Sequence, residues 1–166
     1  MDFETPATAA LWFLVFATPI CLWVAWSDLR SMKIPNKAVV ALACAYLAVG
    51  IAVLPLPDYL WRLSHLAILL VAGIGANAAG LMGAGDAKFI AAAGPFVAPG
   101  DASAAMLLFA GVLLAAFVTH RLARMSPLRR LAPGWASWHS GHRFPMGLAL
   151  GPALALYLAL AAVHGA

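Results

Sequence analysis

Charge is what this sequence has least of. Only 10% of its 166 residues are charged, ten Lys and Arg against six Asp and Glu, where soluble domains carry roughly 25%. Meanwhile 64% of the residues are hydrophobic. A soluble domain of this size cannot bury that much apolar surface, so the bilayer is the expected solvent. Cysteine is nearly missing too. Cys21 and Cys44 both fall in apolar runs and form neither a CxxC pair nor a secreted disulfide framework. They read as small core residues, and a four-cysteine zinc site is impossible. Positive charge is lacking at the start of the chain, where Asp2 and Glu4 are acidic. The first apolar run is therefore expected to stay as a helix rather than to act as a cleaved signal. The net charge of +4 would suggest nucleic acid in a soluble protein. Here it reads as membrane topology, and no nucleic-acid partner is expected.

A spanning helix needs about 20 apolar residues, and the chain has room for six. This predicts an all-α, polytopic membrane fold, with residues 1–166 forming one domain. The expected spans run from about Ala7 to Trp26, Ala38 to Leu54, Leu60 to Ala79, Ala87 to Ala98, Ala102 to Thr119 and Phe144 to Val163. The fourth is short, and Gly94, Pro95 and Pro99 weaken it further. It is expected to begin earlier, to tilt, or to sit against protein instead of lipid. Lys and Arg fall in the links after spans one, three and five, and are absent after two and four apart from Arg62 just inside span three. The positive-inside rule then puts both termini on the non-cytoplasmic side.

That topology brings two carboxylates to one face. Asp28 follows span one in "SDLRSMKIPNK", and Asp86 precedes span four in "GLMGAGDAK". Two spans lie between them, so both are expected at the cytoplasmic boundary. An ionisable group at membrane depth is costly and is a functional candidate by default. Two carboxylates in a low-dielectric site do not easily both ionise. The anionic member of such a pair can take a proton from an attacking water, while the protonated member stabilises the developing oxyanion. Gly83 and Gly85 would let another chain approach closely. Each acid also has an ordinary reading: Asp86 as a helix cap, and Asp28 as a juxtamembrane residue paired with Arg30 or Lys33.

Three stretches together are specific: "DLRSMKIPN" at Asp28 to Asn36, "GAGDAK" at Gly83 to Lys88, and "FPMGLALG" at Phe144 to Gly151. With them the chain resembles the type IV prepilin peptidases, in particular the small six-span form of tight-adherence (Flp-type) pili. The resemblance implies an aspartic endopeptidase of the bacterial inner membrane, with Asp28 and Asp86 as the catalytic pair. Gly83, Gly85, Lys88, Pro35 and Asn36 would be supporting motif residues. The implied substrate is a prepilin with a short basic leader and an apolar helix behind it, cut between the two. Larger family members carry a cytoplasmic insertion, often with four cysteines, and methylate the new N-terminus. This chain has neither insertion nor tetrad, so cleavage without methylation is expected, with no cofactor and no metal.

The remaining residues read more plainly. Lys88 serves as an interfacial anchor or biases Asp86 toward ionisation. Pro35 and Asn36 set the start of span two, with Asn36 as a cap. Arg62 and His65 snorkel to the interface. Asp58 and Asp101 are turn residues on the opposite face. Asn77 either bonds across to another helix or faces the acidic cavity. The six tryptophans act as interfacial anchors. His139 and His142 lack further metal ligands and read as a solvated loop. The arginines between His120 and Arg143 set topology and meet anionic lipid. Two other functions compete. A transporter or a pilus-assembly scaffold would use the aspartates for a proton or cation, although no inverted repeat is visible. A serine protease fits poorly, because Ser140 lies in the basic loop.

Overall fold

A computed structural model describes residues 3–141 and 143–165. His142 of the predicted histidine pair lies outside the described residues. Apart from one isolated bridge between Phe3 and Gly165, the described chain is helices and turns. The helices are α1 (Ala7–Ser31), α2 (Asn36–Val53), α3 (Leu56–Ala78), α4 (Ala84–Ala93), α5 (Ala102–Met125) and α6 (Gly147–His164). Five of them, all but α4, are long and apolar enough to cross a membrane.

The fourth apolar run departs from a simple span. α4 starts three residues earlier than expected and stops at Ala93. Two 3₁₀ turns, Gly94–Phe96 and Pro99–Asp101, carry the chain onward. Pro95 is the second residue of the first turn and Pro99 opens the second, positions where a missing N–H is harmless. The segment is sheathed in protein, with Ala87, Phe89, Ala91, Ala92 and Phe96 buried. α3 packs along it, and Gly73 permits the approach: a Cβ there would stand 2.9 Å from the Cβ of Ala87.

The dominant packing joins α1 to α6. The reason is a small-xxx-small pair, Gly147 and Gly151, on the α6 face toward α1. A Cβ on Gly151 would stand 2.5 Å from the Cys21 carbonyl oxygen, and one on Gly147 would stand 2.9 Å from the Cβ of Asp28. Between α1, α2, the head of α3 and the first 3₁₀ turn sits an aromatic core. Tyr46 stacks on Phe13 and Tyr59, with centroids at 5.6 and 5.5 Å, and Phe96 meets Phe13 edge-on at 5.0 Å. Such pairs add about 0.5–1.5 kcal/mol each beyond their burial.

The end of the bundle near Thr5 holds a polar cluster that sequence reading missed. Asp101, expected as a turn residue, does end the second 3₁₀ turn, but it is buried. It accepts the N–H groups of Glu4 (2.7 Å) and Thr5 (3.1 Å) and the hydroxyl of Tyr157 (2.7 Å). Arg62 does not snorkel. It is buried and donates to Thr5 Oγ1 at 3.1 Å. Phe3 N–H reaches His164 O at 3.3 Å, so Phe3 and His164 lie at this same end.

The basic stretch is also more ordered than a solvated loop. α5 extends to Met125, and 3₁₀ turns follow at Pro127–Leu131 and Ala136–Trp138. Trp138 stacks on His120 at 5.0 Å and on Trp135 at 5.6 Å, and Trp135 meets Trp26 of α1 at 5.1 Å. These three tryptophans fasten the segment to the bundle instead of serving only as interfacial anchors.

Candidate active site

The two aspartates arrive from different helices. Asp28 sits in the last turn of α1, which ends because Met32 adopts a left-handed conformation (φ 54°) and returns its N–H to Asp28 O at 2.8 Å. Gly80, at φ 73°, makes the corresponding turn after α3; only glycine takes that conformation freely. Asn77 closes the same turn, its Nδ2 donating to Met82 O at 2.9 Å. It therefore neither bonds across to another helix nor lines the cavity. Asp86 is the third residue of α4.

Both aspartates line one cavity of about 750 Å³. Its wall includes Asn36, Gly83, Gly85 and Lys88, so six of the seven predicted site residues meet there. Pro35 stands outside the lining, at the cap position of α2. Asp28 is buried and Asp86 half-buried.

The glycines have specific neighbours. A Cβ on Gly83 would lie 2.8 Å from Asp86 Oδ2, and one on Gly85 would lie 3.3 Å from the Cβ of Ile34. Gly83, not Asp86, occupies the cap position of α4, and the Asp86 carboxyl, three residues on, folds back against it. Asp86 therefore does not serve as the conventional helix cap.

Three further findings separate the site from the sequence reading. First, Gly147 N–H donates to Asp28 Oδ2 at 2.6 Å. A backbone donor at the head of a helix favours a negative charge nearby, so the Phe144–Gly151 motif acts directly on Asp28. The Gly-x-x-x-Gly spacing was the available signal for that close approach. Second, Lys88 Nζ donates to Asn36 Oδ1 at 3.2 Å. Lys88 thus ties α4 to α2, and Asn36 answers it instead of capping its own helix. Third, Arg143 lines the cavity, together with Lys33. The sequence reading gave it no place at the cavity.

Chemically, the arrangement offers two carboxyls to one space, flanked by cationic side chains and walled by glycines. It suits proton transfer to and from a water and an extended chain lying between them. The described residues contain no group of three or more His, Cys, Asp or Glu that could hold a metal.

The model of the type IV leader peptidase family matches residues 10–120, well over half of the chain and inclusive of both aspartates. No curated protein and no solved structure matches it. The chain belongs to the type IV leader peptidase family.

Proposed function

We propose that this member of the family is an aspartic endopeptidase that removes the short basic leader of a Flp-type prepilin at the cytoplasmic boundary of the bacterial inner membrane. Asp28 and Asp86 are its catalytic pair. The observation that carries the reading is that the two carboxyls, remote in sequence, line a single cavity.

In the proposed step, the anionic carboxyl takes a proton from water as its oxygen bonds to the scissile carbonyl carbon. The protonated carboxyl donates a hydrogen bond to the oxyanion. Collapse of the tetrahedral intermediate breaks the C–N bond, and the departing amine takes the proton that the first carboxyl received. The two act as one titrating unit, so neither role is fixed to one residue. Glycines 83 and 85 let Asp86 and Ile34 pack against the backbone that lines the cavity, and the Gly147 amide holds Asp28 in place.

Six crossings belong to the same proposal, with the segment from Ala84 to Asp101 as the fourth. Two observations support it. That segment begins beside the Asp28 cavity and ends on Glu4 and Thr5, at the far end of α1. An even number of crossings also returns Phe3 and His164 to one end, where they bond.

Co-expression with a prepilin from the same source tests the function. Wild type shortens the precursor on a gel, and Asp28→Asn and Asp86→Asn leave it intact at matched membrane levels. Cleavage by either variant would overturn the dyad. A transporter or scaffold would leave the precursor unshortened even with the wild-type chain.

A further inference from the structure

A second space in the molecule is as apolar as the first is polar. It is a groove of about 550 Å³, floored by Phe89 and Ile90 of α4 and Leu154 of α6, and walled by Ile68 of α3 and Met106 of α5. It exists because α5 packs mainly on α6 and α3 on α4, with no extensive contact between α3 and α5. Only His120 of α5 is buried. Two polar side chains line the groove: His65, which meets Trp61 edge-on, and Tyr157, whose hydroxyl is already bonded to Asp101 and Thr5.

The groove and the acidic cavity adjoin through one stretch of chain. Met82 lines the groove, and Gly83 beside it lines the cavity. α4 then serves both, with Asp86 and Lys88 on the cavity and Phe89, Ile90 and Ala93 on the groove. A chain leaving the two carboxyls along α4 passes from a polar space into an apolar one. A molecule with a polar segment, a scissile bond and an apolar helix has the same order.

Resting on the peptidase reading, we infer that the groove between α3 and α5 seats the apolar helix of the substrate, in register with a scissile bond at Asp28 and Asp86. A lipid acyl chain would match the apolarity, but nothing would make it end at the carboxyls. In the bilayer the helix gains affinity by close packing against Phe89, Ile90 and Leu154 rather than by leaving water. It also positions the peptide bond beyond its end.

Two measurements together test this. In an Asp86→Asn chain co-expressed with a prepilin, a benzophenone amino acid is placed at Met106 or, as a control on α2, at Ile51; both positions are exposed. Irradiation is expected to give a precursor adduct from Met106 and none from Ile51. Equal adducts at both positions, or a Met106 adduct only with lipid or with a second copy of the chain, would overturn the inference. The second measurement compares Met106→Trp and Ala105→Trp on two substrates, the full precursor and a soluble peptide holding only leader and scissile bond. The loss on the full precursor is expected to exceed the loss on the peptide by about tenfold, the equivalent of about 1.4 kcal/mol of binding. Equal losses overturn the groove and leave the peptidase standing. A wild-type chain that cleaves neither substrate overturns the peptidase reading, and the groove inference with it. Thermal unfolding of each variant ensures that folded molecules are compared.

Discussion

Gly85–Asp86 and Gly100–Asp101 are the same dipeptide at the head of two helices, in opposite ends of the bundle. Their carboxyls are treated differently. Asp101 is buried, and its two oxygens receive the Glu4 and Thr5 amides and the Tyr157 hydroxyl. It has little left with which to meet a water or a substrate. At the other end, Asp28 receives one backbone N–H, from Gly147, and both Asp28 and Asp86 face an open cavity. A saturated carboxylate holds structure together, whereas an under-satisfied one is available for chemistry.

Exchanging the acids for amides gives the sharpest test of that contrast. Asp28→Asn and Asp86→Asn are each expected to slow precursor cleavage at least about 100-fold, the lower end of what a positioned proton-transfer group contributes. Their thermal stability stays near wild type. Asp101→Asn should do the reverse. An amide in place of that carboxylate presents N–H groups to N–H and O–H donors, and buried donors left unpaired cost about 1–3 kcal/mol. Unfolding followed by tryptophan fluorescence in detergent would register this loss, while cleavage per folded molecule keeps the wild-type rate. If Asp101→Asn instead abolished cleavage in a folded chain, the two ends would not divide into structure and chemistry.

The comparison explains what the sequence could and could not disclose. Long apolar runs are legible because each helix carries its own signal, and five of the six expected spans appear as long helices close to their expected places. The meeting of Asp28 and Asp86 follows from parity of crossings, a counting argument that needs no side-chain detail. The Asp101 cluster is illegible for the opposite reason. Its partners Glu4, Thr5 and Tyr157 are far away in sequence, and "APGD" looks like any turn. The burial of Arg62 is illegible for the same reason, because its acceptor Thr5 sits ahead of a different helix. The extension of α5 to Met125 was hidden by the polar residues of its last turns, which the stacking of Trp138 on His120 secures.

A finer distinction lies within α6. Gly147 and Gly151 both let α6 close on α1, but only Gly147 touches Asp28. Adding a methyl to either is overpacking and is expected to cost about 1–3 kcal/mol of stability. Gly147→Ala should additionally slow cleavage per folded molecule about tenfold, since displacing a reacting group by about 1 Å can cost about 100-fold. Paired unfolding and initial-rate measurements separate the two effects. An equal rate loss in Gly151→Ala would reduce Gly147 to packing alone.

The smallest expected effect concerns Lys88, the cation nearest in sequence to Asp86. Residues two apart on a helix do not face each other, and Lys88 instead donates to Asn36 across to α2. If that bond is its whole role, Lys88→Met and Asn36→Leu remove the same interaction. Each should slow cleavage by about fivefold or less, the kinetic equivalent of about 1 kcal/mol. The double variant should then be no slower than the slower single one, because a shared partner makes the losses non-additive. A Lys88 that acted instead through its field on Asp86 would behave differently. Its replacement alone would move the pH dependence of cleavage, and the Asn36 loss would add to it in full. The four rates, each followed across pH, decide whether the cation beside the acidic cavity tunes its charge or only holds two of its walls together.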